Sequence, residues 1–128
     1  MTIAPKKILL VHNNPQERGR LAIMLSRFGH EVKFSSGKDC PDQLTRAHDV
    51  VIVDDIMSGQ SGLDFIDNVS IRHRKKIIYL SPLSSLVAMK IKGLNIYEWV
   101  TKPIDPLKLA VVVCDYFVES AMEQALPG

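Results

Sequence analysis

The chain has few of the features that export a protein, anchor it in a membrane or bind a structural metal. Its 128 residues include only two cysteines, Cys40 and Cys114, which lie far apart and without metal-ligand spacing. No apolar stretch reaches the roughly 18 residues that a membrane-spanning helix needs. The first residues, Met1–Pro5, lack the charged-then-apolar layout of a signal peptide. We therefore expect a reduced, cytoplasmic protein that does not bind membranes.

Neither positive nor negative charge is in large excess, since the net charge is only +2. The one dense basic run, residues 72–76, lies between a predicted helix and a predicted strand. It is interpreted as a solvated loop, with contact to an acidic partner as the alternative. No recognition helix or concentrated basic face is present in the pattern, so we do not expect direct nucleic-acid binding. The length predicts one domain over residues 1–128.

Short apolar runs alternate with helix-like segments, which predicts a parallel sheet covered by helices on both faces. The second run alternates between polar and apolar residues and is predicted to be an edge strand. Right-handed crossovers favour the strand order 2-1-3-4-5. The predicted fold is therefore a three-layer α/β sandwich. The predicted strands are Lys7–Val11, Glu31–Phe34, Val50–Asp54, Ile77–Leu80 and Tyr97–Thr101.

Capping residues, prolines and glycines define the predicted helices. Asn14 caps the first helix and Asp105 caps the last. The first helix runs from Pro15 to Gly29, the second begins at Pro41, the third spans Gly62–Val69, the fourth spans about Ser84–Lys92 and the last spans Pro106 to about Ala125.

Three polar side chains follow buried strands and are predicted to meet at one edge of the sheet. Asp54 ends the third run, Ser81 follows the fourth and Lys102 follows the fifth. In open α/β sheets, chemistry gathers at the carboxyl ends of the strands. After the first run the chain has His12 and Asn13, so no carboxylate stands there.

These residues make the chain resemble the receiver domains of two-component response regulators, which have a flavodoxin-like (βα)5 fold. The resemblance extends from Lys6 to about Glu123, and its most specific part is Asp54–Gly62, which has the spacing of the family's phosphoacceptor loop. It implies that Asp54 is the phosphoacceptor and that Ser81 hydrogen-bonds the phosphoryl group.

Two further matches lie near the end of the fifth strand. Trp99 stands at the position of an aromatic residue that rotates inward on activation in the family, although it is as readily a plain packing residue. Lys102-Pro103 matches a Lys-Pro pair whose lysine pairs with the aspartate and whose peptide bond is typically cis. A cis bond before Pro103 is therefore predicted.

Departures from the family's pattern fall on the metal and phosphoryl site. The family has two acidic residues where this chain has His12 and Asn13. Mg²⁺ prefers charged oxygen ligands, and imidazole suits softer metals. Each unit charge lost ~4 Å from a cation forfeits about 4 kcal/mol at an effective dielectric constant near 20. Pro82 also lacks the backbone N–H that the family offers to the phosphoryl oxygens. We expect no cofactor, and Mg²⁺ only weakly if at all.

The remaining side chains lead to more detailed predictions for the pocket. Lys102 has one clear partner, so a direct Asp54–Lys102 ion pair is predicted. Asp55 is an acid where the family prefers an apolar residue, and strand alternation predicts that it points away from Asp54. His12 is predicted to be a hydrogen-bonded pocket residue rather than a metal ligand. The residual candidates for metal ligation are Asp54, Asn13 and Asp55.

The last predicted helix has more apolar residues than one packed face requires. We predict a partner or homodimer contact, because the face that receivers form from their fourth helix, fifth strand and fifth helix is their usual output and dimerisation surface. A deeper core that buries both stripes is the alternative. The core-facing stripe is Leu109, Val112, Val113, Tyr116 and Phe117, and the second stripe is Leu107, Val111, Cys114, Val118 and Ala121.

The resemblance implies a non-enzymatic pseudo-receiver that signals through a protein partner, such as a histidine kinase or an output protein. The alternative is a working phosphoacceptor that takes a phosphoryl group on Asp54 from a histidine kinase or phosphotransfer protein. It would catalyse at most its own phosphorylation and dephosphorylation. A flavin-binding redox protein is disfavoured, because residues 12–17 contain an acid and no glycine for a phosphate loop.

Overall fold

A computed structural model describes residues 5–57, 59–82, 88 and 90–125 of the chain. Its main sheet is parallel and has the order β2-β1-β3-β6-β7, and β4 and β5 form a separate antiparallel hairpin. With that hairpin set aside, the order confirms the predicted 2-1-3-4-5 and the flavodoxin-like α/β fold. The strands are β1 Lys7–Val11, β2 Glu31–Ser35, β3 Val50–Asp54, β4 Ile56–Met57, β5 Gln60–Ser61, β6 Ile77–Ser81 and β7 Glu98–Thr101.

The helices begin at the residues that the capping signals predict. The Asn14 side chain accepts hydrogen bonds from the N–H groups of Gln16 and Glu17, and Asp105 Oδ1 accepts one from Leu107 N at 3.0 Å. They are α1 Pro15–Arg27, α2 Pro41–Arg46, α3 Gly62–Asp67, a 3₁₀ helix Ile71–Lys76 and a C-terminal helix Pro106–Ala125.

One helix prediction differs from the structure, and another falls only partly within the described residues. α3 ends at Asp67, before the predicted Val69, and Asn68 is its C-cap residue. Of the predicted fourth helix, Ala88, Lys90 and Ile91 are helical, and residues 83–87 and 89 lie outside the described part. Among the described helices, none is both long and apolar enough to cross a membrane.

The sheet is buried on both faces, which is why its central strands are apolar throughout. Every residue of β3 and β6 is buried, as expected for parallel strands covered by helices on each side. One core includes Leu21 of α1 and Leu109 of the C-terminal helix, and the other includes Phe65 of α3. β2 has a single neighbour, and its Phe34 is 49% exposed, which confirms the predicted edge strand.

The basic run at residues 72–76 has no buried residue, as predicted, but it is not a loop. It belongs to the 3₁₀ helix, and two of its side chains bind backbone carbonyl groups. Lys76 Nζ donates to the carbonyls of Thr45 and His48, and Arg74 Nε donates to the carbonyl of Val69. The last carbonyls of a helix lack partners within the helix, so Lys76 stabilises the end of α2.

The C-terminal helix buries only one of its two apolar stripes. Leu109 and Val113 of the first stripe are fully buried. In the second stripe, Leu107 is 50% exposed, Val111 47% and Val118 60%. The alternative of a deeper core that buries both stripes is therefore wrong.

Candidate functional site

The carboxyl ends of the strands bring the predicted site residues to one edge of the sheet. β1 pairs with β3, β3 pairs with β6 and β6 pairs with β7, all in parallel, so the residues after these strands become neighbours. A cavity of about 680 Å³ lies at this edge. Its lining residues are His12, Asn13, Asn14, Glu17, Arg20, Asp54, Ile56, Lys102, Pro103 and Ile104.

The predicted ion pair between Asp54 and Lys102 is present. Lys102 Nζ lies 2.7 Å from Asp54 Oδ1, and the side chains are 28% and 5% exposed respectively. Asp54 Oδ1 is buried, and no donor among the described residues, Lys102 Nζ included, has hydrogen-bond geometry toward it. Within the described part of the chain, Asp54 Oδ2 accepts one long hydrogen bond, of 3.4 Å, from Ile56 N. The carboxylate is thus held by charge more than by hydrogen bonds.

The prediction that Asp55 points away from Asp54 is wrong, because both side chains contact the same ammonium group. Its Oδ1 lies 2.5 Å from Lys102 Nζ and accepts a hydrogen bond from it. β3 ends at Asp54, so the strict alternation of a strand no longer fixes the direction of the next side chain. Lys102 therefore has two carboxylate partners, not the single one expected.

The charge of Lys102 is maintained although its side chain is partly buried. Burial by itself lowers the pKa of Lys102, but the close contacts with Asp54 and Asp55 and their negative charges outweigh that effect and raise it above its ordinary value. The ammonium group is therefore charged at neutral pH, and it is shared by two carboxylates.

His12 is a buried, hydrogen-bonded residue of the pocket, as predicted. Its Nδ1 accepts a hydrogen bond from Asn14 N at 3.1 Å, so the proton of the neutral ring is on Nε2. Nε2 lies 3.6 Å from Asp54 Oδ1. Burial lowers the pKa of His12, and the nearby Lys102 lowers it further against the opposing charge of Asp54. The ring is therefore neutral at pH 7.

The donor set at this edge does not fit Mg²⁺. The Nδ1 lone pair of His12 is used by a backbone N–H, and the Lys102 ammonium group contacts both Asp54 and Asp55. Over the described ranges, no group of three or more His, Cys, Asp or Glu side chains could hold a metal ion. Asn13, the third candidate ligand, is exposed and offers at most an uncharged amide oxygen.

The carbonyl of Ser81 links β6 to the end of β7. It accepts hydrogen bonds from Lys102 N at 3.0 Å and from the indole Nε1 of Trp99 at 3.1 Å. Ser81 is 1% exposed, and its hydroxyl donates a long hydrogen bond of 3.4 Å to the carbonyl of Pro82. Trp99 is half-buried and packs against the core that contains Tyr79.

Several residues of the site were missed by the sequence prediction. Tyr79 is buried on β6, and burial followed by the charge of Asp55 raises its pKa to about 12. Arg20 pairs with Glu17 at 2.8 Å and donates to the carbonyl of Ile104 at 2.9 Å. The position of Tyr79 two residues before Ser81, on the same strand face, was a usable signal, as was the Glu17–Arg20 spacing of three on the first helix.

The bond between Lys102 and Pro103 is cis, which confirms that prediction. Pro82 is exposed at the end of β6, where it offers no N–H to the site. The structure therefore places Asp54, His12, Lys102 and Pro103 around one cavity, and Ser81 and Pro82 at the end of the neighbouring strand.

No protein-family model matches the chain, and no curated protein matches it. Among solved structures it is similar to a signal receiver domain from Vibrio parahaemolyticus, with a TM-score of 0.80 and 18% identity over 98% of this chain and 99% of the other. It is also similar to the chemotaxis protein CheY4 of Vibrio cholerae, with a TM-score of 0.69 and 22% identity over 96% of this chain and 100% of the other.

A third similar structure is the receiver domain of the sensor histidine kinase PA1611 from Pseudomonas aeruginosa PAO1, solved with a magnesium ion coordinated in its active site cleft. Its TM-score is 0.70, with 20% identity over 90% of this chain and 99% of the other. At these identities the similarity shows the fold, which is that of receiver domains, and leaves the chemistry of the site to its own residues.

Proposed function

We propose that the chain is a receiver module of two-component signalling whose phosphorylation pocket is degenerate, so that it signals by protein–protein contact. The receiver fold and the Asp54–Lys102 ion pair support the receiver assignment. The main support for a degenerate pocket is the state of His12. This residue is buried, neutral and hydrogen-bonded to the backbone at a position where a metal site needs an anion.

The physical reason is the shortage of free negative charge. Phosphoryl transfer to a carboxylate depends on positioning and on neutralising the charge of the phosphoryl oxygens. With His12 and Asn13 uncharged, Asp54 and Asp55 are the nearest anions, and one ammonium group already contacts both. A divalent cation would have to compete with Lys102 for them, so Mg²⁺ binds weakly or not at all.

The test is a titration with Mg²⁺ and beryllofluoride, a phosphoryl analogue, followed by Trp99 fluorescence and amide chemical shifts. Trp99 is the only tryptophan of the chain, and it is joined to Ser81 beside the pocket. We expect no saturable change at millimolar Mg²⁺. The matched variant His12→Asp with Asn13→Asp restores the two carboxylates and is expected to bind the metal. Saturable changes in the wild-type chain that vanish in Asp54→Asn would overturn the proposal.

A working phosphoacceptor is the second candidate. It is favoured by the open cavity beside Asp54 and by the absence of a well-formed hydrogen bond to Asp54 Oδ1 among the described residues. In this case Asp54 accepts a phosphoryl group from a histidine kinase or phosphotransfer protein. The same titration separates the two candidates, because only the second predicts saturation in the wild-type chain.

The proposed contact surface is the exposed stripe of the C-terminal helix. Leu107, Val111 and Val118 present apolar side chains to solvent along one side of this helix, and Met122 extends the stripe with 64% exposure. Exposed apolar area of this kind marks surfaces that bind other proteins. A partner protein or a second copy of the chain would bury it, which fits a module that acts by contact.

A further inference from the structure

Asp55 is an additional anion at the pocket, and its role goes beyond the loss of metal binding. We propose that Asp55 is a positioning residue that supplies Lys102 with a built-in second anion, and thereby holds Trp99 in place without phosphorylation. The inference rests on the proposed function, because it assumes that no metal ion competes for Asp55. It is carried by the 2.5 Å contact between Asp55 Oδ1 and Lys102 Nζ.

The first step is the geometry around Lys102. A phosphoryl group bound to Asp54 would place its anionic oxygens beside Lys102 Nζ, which lies 2.7 Å from Asp54 Oδ1. In this chain, Asp55 already provides an anion to the same ammonium group. The Asp55 side chain is only 15% exposed, so water does not fully screen the pair. Hydrogen bonds between two charged groups are among the strong ones in proteins.

The second step is the connection from Lys102 to Trp99. The backbone N–H of Lys102 donates to the carbonyl of Ser81 at 3.0 Å, and the Trp99 indole donates to the same oxygen at 3.1 Å. The carbonyl to which the indole is bound is therefore also bound by the backbone of Lys102. Asp55, Lys102, Ser81 and Trp99 form one continuous chain of hydrogen bonds.

The third step is the position of the two carboxylates relative to the cavity. Asp54 lines the cavity together with His12, whose Nε2 lies 3.6 Å from Asp54 Oδ1, whereas Asp55 is not among the lining residues. Lys102 thus joins the carboxylate that faces the cavity to a second carboxylate outside its lining.

The experiment measures acrylamide quenching of Trp99, the only tryptophan, in buffer that contains EDTA. We expect Asp55→Asn to raise the quenching constant about twofold, because the indole hydrogen bond opens more often once Lys102 is free to move. Asp55→Glu keeps the charge and should restore the wild-type value. The matched control is Asp39→Asn at an exposed position, which should change nothing.

The double variant Asp55→Asn with Lys102→Gln separates this role from simple packing. If Asp55 acts through Lys102, its replacement adds nothing to the quenching constant of Lys102→Gln. An unchanged constant in Asp55→Asn, or an equal further rise in the Lys102→Gln background, would overturn the inference. If Asp55→Asn does not fold, the same comparison is made with Asp55→Ser, and a quenching constant equal to that of the wild type in this variant would overturn the inference.

EDTA removes divalent ions, so the quenching experiment does not depend on whether the pocket binds Mg²⁺. A negative result for the role of Asp55 can therefore be distinguished from a negative result for the proposed function. Saturable Mg²⁺ binding with an intact Asp55–Lys102 effect would overturn the degenerate pocket alone. Absent Mg²⁺ binding with no effect of Asp55→Asn would overturn the role of Asp55 alone.

Discussion

Gly62 begins α3 directly against the backbone of β3, and its replacement by alanine should be destabilising. A Cβ atom at this position would lie 2.2 Å from Asp54 O, 3.1 Å from Asp54 C and 2.9 Å from Tyr79 Cε1. The closest neighbour is backbone of the buried strand β3, which cannot rotate away as a side chain can. Overpacking of a core costs about 1–3 kcal/mol, and we expect Gly62→Ala to fall near the upper end.

The assay is urea unfolding, with Gly19→Ala as the matched control. Gly19 lies within α1, and an added Cβ there would have no neighbour within 4 Å. Alanine is favoured over glycine in a helix by about 0.5–1 kcal/mol, so Gly19→Ala should raise the free energy of unfolding. Replacement of glycine by alanine is thus predicted to lower the free energy of unfolding at position 62 and to raise it at position 19. A Gly62→Ala variant as stable as the wild type would refute the close approach of α3 to Asp54.

Two further predictions concern pH and association. Burial lowers the pKa of His30 from 6.5. The unfolded chain therefore binds the proton more readily than the folded chain does. The resulting stability is present above pH 6.5 and is lost as the pH falls through the lower pKa of the folded state. His30→Leu should make the free energy of unfolding less dependent on pH, and an unaltered pH profile from urea unfolding would contradict this. Val118→Glu should abolish any concentration-dependent rise of mass in light scattering, because it charges the exposed stripe. Association that persists in this variant would place the contact elsewhere.

The main sheet could be predicted because each central strand is a continuous apolar run and each helix start has a local signal. Asn14 and Asp105 act as caps through their own side chains, so a few neighbouring residues suffice to identify them. The hairpin of β4 and β5 could not be predicted in this way. It has two residues in each strand and depends on Gln60 Nε2 donating to the carbonyl of Gly37, which is distant in sequence.

The sequence was sufficient to predict which strand ends form the candidate site, but not which of its side chains contact one another. The Asp54–Lys102 pair followed from spacing, because parallel strands bring their carboxyl ends together. The position of Asp55 did not follow, because the rule of alternation applies only inside the strand, and β3 ends one residue earlier. Which carboxylate a flexible lysine contacts is decided by tertiary geometry, and here Lys102 contacts both.

The loss of the acidic pair and the presence of Asp55 are best understood together. In the structure, Asp54 and Asp55 share the Lys102 ammonium group, while Glu17 is paired with Arg20. Two more carboxylates at His12 and Asn13 would leave the edge of the sheet with a large excess of negative charge in a partly buried place, where only a divalent cation could neutralise it. Neutral residues after β1 therefore make an acid after β3 tolerable. With His12 neutral and Lys102 between the two carboxylates, one net negative charge remains at this place, fewer than the three that a pair of acids after β1 would leave.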